Sequence, residues 1–401
     1  MLKFFYALLV ILSVGLVSCS GDDAPSVSPP IEAGTTAEQM LLVYMAGDNN
    51  LNQNVQSDLQ ELLSVASLVP ADCYMLAFVD DYNMPRLLRF FNNNGKGDYE
   101  TVVNFGAEVA SSDCEEMKRV LDRVLTDYPT KRLDLVLWSH GTGWINDDGR
   151  SAVQRSFGFD DNVAGSGKKR MYINELADVL SGLAVRPDRI LFDACLMQCA
   201  EVAYALRDCA DWIIASPAEM PADGAPYDLV MPLFFDSSAG VEDIIDAYVG
   251  VYEKTNMGVV LSAVRCDALE EFAVATSAVV GKYFTKGAVD DYYGLFAYLP
   301  GGVFNSSSKM PFFYDACYLV WNYLPNEEYV EWKRALDRVV PYKSATASYY
   351  SEIKRIYVYM VEPWCGLSVF LPKEGLSYSS LNRDFSMLEW YEAAGWKGAG
   401  W

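Results

Sequence analysis

From residue 40 onward, unbroken apolar runs alternate with stretches in which apolar side chains recur every three or four positions. Residues 40–46 (MLLVYMA), 73–81 (CYMLAFVDD), 133–138 (LDLVLW), 189–196 (RILFDACL) and 211–219 (DWIIASPAE) read as strands buried on both faces, because none alternates apolar with polar. Residues 86–92 (RLLRFFN) predict a neighbouring strand. Helical spacing covers 54–66, 174–183 and 200–206, and Ser112 and Asp113 can cap a helix carrying Met117, Val120, Leu121 and Val124. Continuous strands interleaved with helices predict an α/β fold whose parallel sheet is covered on both faces. Ligands then bind beyond the carboxyl ends of the strands.

After about residue 250 the pattern is less regular and more aromatic. Residues 258–266 and 365–372 predict strands and 267–284 an amphipathic helix. This reading divides the ordered chain into an α/β domain over 39–250 and a C-terminal α/β subdomain over 251–401.

The N-terminus changes the picture. An apolar run from Phe4 to Val17 follows Lys3, too short to span a bilayer comfortably but suited to a signal-peptide core. Its ending, LVSC, resembles the lipobox of bacterial lipoproteins, which implies a signal peptide over 1–18 and lipidation of Cys19. Residues 19–38 are polar and rich in Pro and Gly, as a flexible tether is. The acidic residues just after Cys19 resemble surface-export signals of Bacteroidetes lipoproteins, so the expected location is the outer membrane, with surface display.

Composition excludes some partners. The formal net charge of −23 disfavours nucleic acid and anionic lipid surfaces, both of which call for basic patches. Apart from Cys19, the eight remaining cysteines are scattered, without paired C-x-x-C units or the density of a disulfide scaffold. No zinc site is expected, because Cys195-x-x-x-Cys199 has no second ligand pair and the single histidine lies far upstream.

That histidine, His140, stands in LWSHGTGW just past a predicted strand. A cysteine nucleophile needs an imidazole to handle its proton and backbone N–H groups to receive an oxyanion. Any Cys–His chemistry here must therefore use His140, and the glycines of Gly141-Thr142-Gly143 would let a substrate carbonyl come close. Cys195 ends a predicted strand, and a helix starting directly behind it would lower its thiol pKa. Adjacent parallel strands would bring the two residues together across 55 positions.

SHG followed by DAC at this spacing resembles caspase-like peptidases. The longer stretches LLVYMAGDNNL, LWSHGTGW, DACLMQCAEVAYAL and ASPAEMPADGAPYD, spread over residues 40–230, resemble the clostripain family. The resemblance implies a caspase-like fold and a Cys–His dyad of Cys195 and His140, with an oxyanion hole from the N–H groups of Gly141 and Cys195. It also implies cleavage after arginine or lysine. Asp193 matches the family's acidic pocket residue, with a strand-end carboxylate bonded to backbone as the alternative; Asp223 is a second, weaker pocket candidate. Gln198 departs from the family's usual glycine and is expected to reshape the pocket edge. Self-cleavage between His140 and Cys195 is implied, with Arg150 and Arg155 as candidate sites. No cofactor is required for the chemistry. Calcium is the one ion the family suggests, with Asp160 and Asp161 as suitable oxygen donors in a run that is not an EF-hand. The competing reading is a catalytically inactive surface lipoprotein that kept the scaffold for binding.

Overall fold

The strand runs assemble into one nine-stranded sheet in the computed structural model, which describes residues 29–106, 109–145, 157–158, 171–288, 294–300, 312–375 and 378–401. Its strands from the first half are β1 (Gln39–Ala46), β2 (Cys73–Asp80), β3 (Arg86–Asn93), β4 (Lys96–Asn104), β5 (Leu133–Trp138), β6 (Pro187–Asp193) and β7 (Trp212–Ala215). β8 (Val260–Arg265) follows, then β9 (Ala297–Leu299) and β10 (Phe312–Asp315), and β11 (Tyr342–Ala345). The order is β11-β8-β7-β6-β5-β1-β2-β3-β4, and the five central strands, β2 to β7 in that order, are mutually parallel. β3, β4, β8 and β11 run antiparallel to their neighbours. The sheet crosses the boundary expected at residue 250, since β8 and β11 lie beyond it. β9 and β10 belong to a separate three-stranded sheet.

Unbroken apolar strands are explained by helices on both faces. α1 (Asn52–Val65), α5 (Tyr227–Phe235) and α6 (Val241–Tyr252) share one core with Leu41, Val43 and Met45 of β1. α2 (Cys114–Asp127), α3 (Ile173–Ser181), α4 (Ala200–Ala205) and α7 (Leu269–Tyr283) share the other with Met40, Leu42 and Tyr44. The α2 start is capped as expected, Asp113 accepting from the N–H groups of Glu115 and Glu116. β4 was not predicted: its side chains are half-buried or exposed, so it lacks the continuous apolar signature of the strands inside the sheet.

Cys19, Arg150, Arg155, Asp160 and Asp161 all lie outside the described residues. Among the described residues, no helix is long and apolar enough to cross a membrane. Nor does any group of three or more His, Cys, Asp or Glu side chains there have the arrangement to hold a metal ion.

Candidate active site

β5 and β6 pair in parallel, with Trp138 opposite Asp193 at their carboxyl ends. His140 and Cys195 are each two residues further along, so they leave neighbouring strands at matching positions, where strands are about 4.8 Å apart. The Ser139 N–H donates to the Asp193 carbonyl at 3.3 Å and continues the ladder towards the pair. Gly141 lies against the Cys195 main chain. A Cβ on it would come within 2.5 Å of the Cys195 carbonyl oxygen, so only glycine fits.

His140 is oriented by a residue that the sequence analysis did not single out. Its Nε2 lies 2.9 Å from Oδ1 of Asn50, in the GDNN turn after β1. An amide oxygen only accepts, so in this contact Nε2 is the donor. β1 pairs with β5 on the side opposite β6, and this brings the turn alongside His140.

The Cys195 thiol is bonded to main chain. Its Sγ accepts from the Met220 N–H at 3.2 Å, with the Met220 carbonyl at 3.8 Å. The expected helix does not begin behind it. α4 starts at Ala200, and Leu196 adopts φ +64°, a left-handed turn that carries the chain away from the strand first. Without that helix end, burial dominates and pushes the thiol up to about 12, with Glu219 and Asp193 raising it and the Met220 N–H opposing. The thiol is therefore neutral at physiological pH. Iodoacetamide should alkylate Cys195 roughly ten- to a hundredfold more slowly than free cysteine at pH 7.5, its smaller thiolate fraction being partly offset by the greater nucleophilicity of a high-pKa thiolate. The rate should keep rising through pH 9.5, as read by mass mapping of the modified residue. A plateau below pH 8 would mean that the thiol is already activated.

Asp193 ends β6 as a buried carboxylate facing α5 and α6. Its Oδ2 accepts from the Ala225 N–H and the Tyr227 hydroxyl, each at 3.0 Å, and its Oδ1 from the Tyr248 hydroxyl at 3.1 Å. Burial raises its pKa, and those three donors oppose the rise. Gly224 covers it with φ +62°; a Cβ there would lie 2.6 Å from Oδ2. Asp223, next to this glycine, is exposed. Gln198 is not at a pocket edge. Its buried amide donates to the carbonyl and hydroxyl of Ser262 on β8, at 2.6 and 3.0 Å, and so ties the cysteine loop to the sheet.

Comparison with known proteins follows the same residues. The sequence profile of the clostripain family matches residues 43–401. A similar relative is clostripain of Hathewaya histolytica, 26% identical over 217 residues, which cover 47% of this chain and 41% of that protein. The chain thus spans less than half the length of that relative. Among solved structures, a secreted C11 cysteine protease from Bacteroides thetaiotaomicron, bound to an irreversible peptide inhibitor, is 28% identical with a TM-score of 0.78, covering 90% of this chain and all of that one. An inactive zymogen C11 protease from Parabacteroides distasonis is 30% identical with a TM-score of 0.73, covering 90% of this chain and 99% of that one.

Proposed function

This chain belongs to the clostripain family of cysteine proteases, and we propose that it is an endopeptidase that cuts after arginine or lysine using Cys195 and His140. The observation that carries this reading is the β5–β6 register, which supports a shared site for the only imidazole of the chain and a cysteine one strand away.

In the proposed reaction His140 Nδ1 takes the thiol proton while Sγ attacks the scissile carbonyl carbon, forming the S–C bond and an oxyanion. The N–H groups of Gly141 and Cys195 receive that oxyanion, and the absence of a side chain on Gly141 supports the close approach this needs. The intermediate collapses, the C–N bond breaks, and the imidazolium protonates the departing amine. His140 then deprotonates a water that attacks the thioester, releasing the acid and restoring the thiol. Asn50 holds the imidazole in the tautomer that each transfer requires.

Specificity follows from the Asp193 carboxylate, which is suited to a guanidinium or ammonium through charge-assisted hydrogen bonds. Asp223 acts at the exposed rim of the same pocket. We read the chain as a latent precursor whose Cys195 thiol is bonded to the Met220 main chain. The likeness to an inactive zymogen supports the same conclusion for this chain. The reading includes self-cleavage after Arg150 or Arg155, a lipid anchor on Cys19, and display at the outer membrane by the 19–38 tether.

Labelling with a peptidyl-arginine acyloxymethylketone, followed by mapping of the modified residue, tests the reading. Label on Cys195 that is lost in His140→Ala is the expected result. Equal labelling by an aspartyl probe, or label on another cysteine, overturns it.

A further inference from the structure

The segment that holds the Cys195 thiol is itself held from the C-terminal half of the chain. Residues 216–220 follow β7 and run beside the cysteine loop. The Gln198 N–H donates to the Ser216 carbonyl at 3.0 Å and the Leu196 N–H to the Ala218 carbonyl at 2.9 Å. Those two bonds fix the segment as far as Ala218, two residues short of Met220. The Glu219 side chain makes the next tie. Glu219 is buried, and both of its oxygens meet one hairpin turn, between β12 (Ser348–Ser351) and β13 (Ile356–Tyr359). Oε2 accepts from the Ser351 hydroxyl and Oε1 from the Ile353 N–H at 3.0 Å.

The turn is braced in its own right. Ser351 is fully buried; its Oγ accepts from the Lys354 N–H at 3.2 Å and its carbonyl from the Arg355 N–H at 2.7 Å. The Tyr350 N–H donates to the Met257 carbonyl at 2.7 Å, which fastens β12 to the residues before β8. Burying a carboxyl costs free energy that these donors offset only while the turn stays in place. The contact therefore fixes the hairpin and residue 219 relative to each other, and residue 220 follows as the next link of the chain. The charge of Glu219 does not account for its position, because a negative charge there opposes formation of the Cys195 thiolate. The group that favours the thiolate is the Met220 N–H, 3.2 Å from Sγ. An acid placed where its charge hinders the nucleophile points to a geometric role.

We propose that Glu219 is a positioning residue: anchored by Ser351 and Ile353, it keeps the Met220 N–H aimed at Cys195 Sγ while the sulfur is negative. This rests on the reading of Cys195 as the nucleophile. The Met220 carbonyl, at 3.8 Å, is the acceptor for the resting thiol. Once His140 has taken the proton, the N–H is the donor that stabilises the sulfur until the S–C bond forms. The hairpin thereby makes the C-terminal half of the chain part of the active site.

The test compares Glu219→Ala with Glu219→Gln in the full chain. Both remove the charge, but the glutamine carbonyl still accepts from the Ile353 N–H and its amide can donate to the Ser351 hydroxyl. The readout is the rate at which iodoacetamide modifies Cys195 at pH 9, followed by mass mapping. Glu219→Gln should react at least as fast as the unsubstituted chain, because a charge opposing the thiolate is gone. Glu219→Ala should react about three- to tenfold more slowly than Glu219→Gln, since the lost N–H bond lowers the thiolate fraction more than the gain in nucleophilicity restores. Ser351→Ala keeps the charge and should be slower than the unsubstituted chain. The buried Cys199 and Cys365 should stay unmodified, which shows that the variants are folded. If Glu219→Ala exposes them, Ser351→Ala against the unsubstituted chain decides. With an arginyl reporter, Glu219→Ala should show kcat about tenfold below that of Glu219→Gln at similar KM. Equal alkylation of the two Glu219 variants, or faster alkylation of the folded alanine variant, overturns the positioning role. Activity that survives Cys195→Ala overturns the nucleophile reading instead.

Discussion

Replacing His140 with alanine is expected to lower kcat/KM for arginyl reporter peptides by roughly ten-thousandfold or more, the scale on which catalytic triads lose activity when one member is removed. The size follows from composition: the chain has no second imidazole to take over the proton. Cys195→Ala should give the same loss, and the double variant should be no worse than either single one, because the two groups act as a unit. The contribution of Asn50 is separable. Asn50→Ala leaves the imidazole present but frees it to hold either tautomer, and should cost about ten- to a hundredfold, mostly in kcat, as removal of an orienting partner does. Asn50→Asp keeps an acceptor at Oδ1 and adds a negative charge that stabilises the imidazolium. Activity should return, with the acid limb of the pH profile shifted upward. A purely structural role for Asn50 would give an unshifted profile. Full activity of His140→Ala would end the dyad reading outright.

The second large effect concerns recognition. Asp193→Asn should reduce kcat/KM for arginyl and lysyl reporters at least about a hundredfold, while peptides with citrulline before the scissile bond change little. Asparagine at this position still accepts from the Ala225 N–H and the Tyr227 hydroxyl through its carbonyl oxygen, and its amide can donate to the Tyr248 hydroxyl. The fold and the thiol should therefore survive, and the loss should appear mainly in KM. Because burial raises the Asp193 pKa, arginine affinity in the unsubstituted protein should fall on acidification at a higher pH than an ordinary carboxylate would give. The sign is fixed: protonation removes the charge that the guanidinium needs. If Asp193→Asn kept its preference for arginine, specificity would have to be reassigned to another acid.

Much of this site was legible before folding was considered. The LDLVLW and RILFDACL runs announced buried parallel strands, and His140 and Cys195 stood just past their ends. Other parts were not. Asn50 reads locally as a turn residue, and nothing within ten positions of it points to an imidazole ninety residues later. Glu219 stands within ASPAEMPADGAPYD, a stretch that marks the family. Nothing in that stretch points to Ser351, 132 positions later, as the partner of its side chain. The thiol was misjudged because the sequence shows a strand followed by a helical pattern. The left-handed turn at Leu196, which moves the helix start back to Ala200, is invisible at that level.

The division has a physical cause. Strand and helix periodicities, a rare residue type and motif spacing are properties of neighbours along the chain, so the sequence by itself determined the α/β alternation, the two candidate reactive residues and the family they resemble. Strand adjacency, hydrogen-bond partners and ionisation depend on groups far apart in sequence and on how much water reaches them. Only the tertiary structure therefore decided that β1 brings Asn50 to His140, and that the β12–β13 hairpin brings Ser351 to Glu219. For the same reason, only burial decided that the Cys195 thiol is held neutral against Met220.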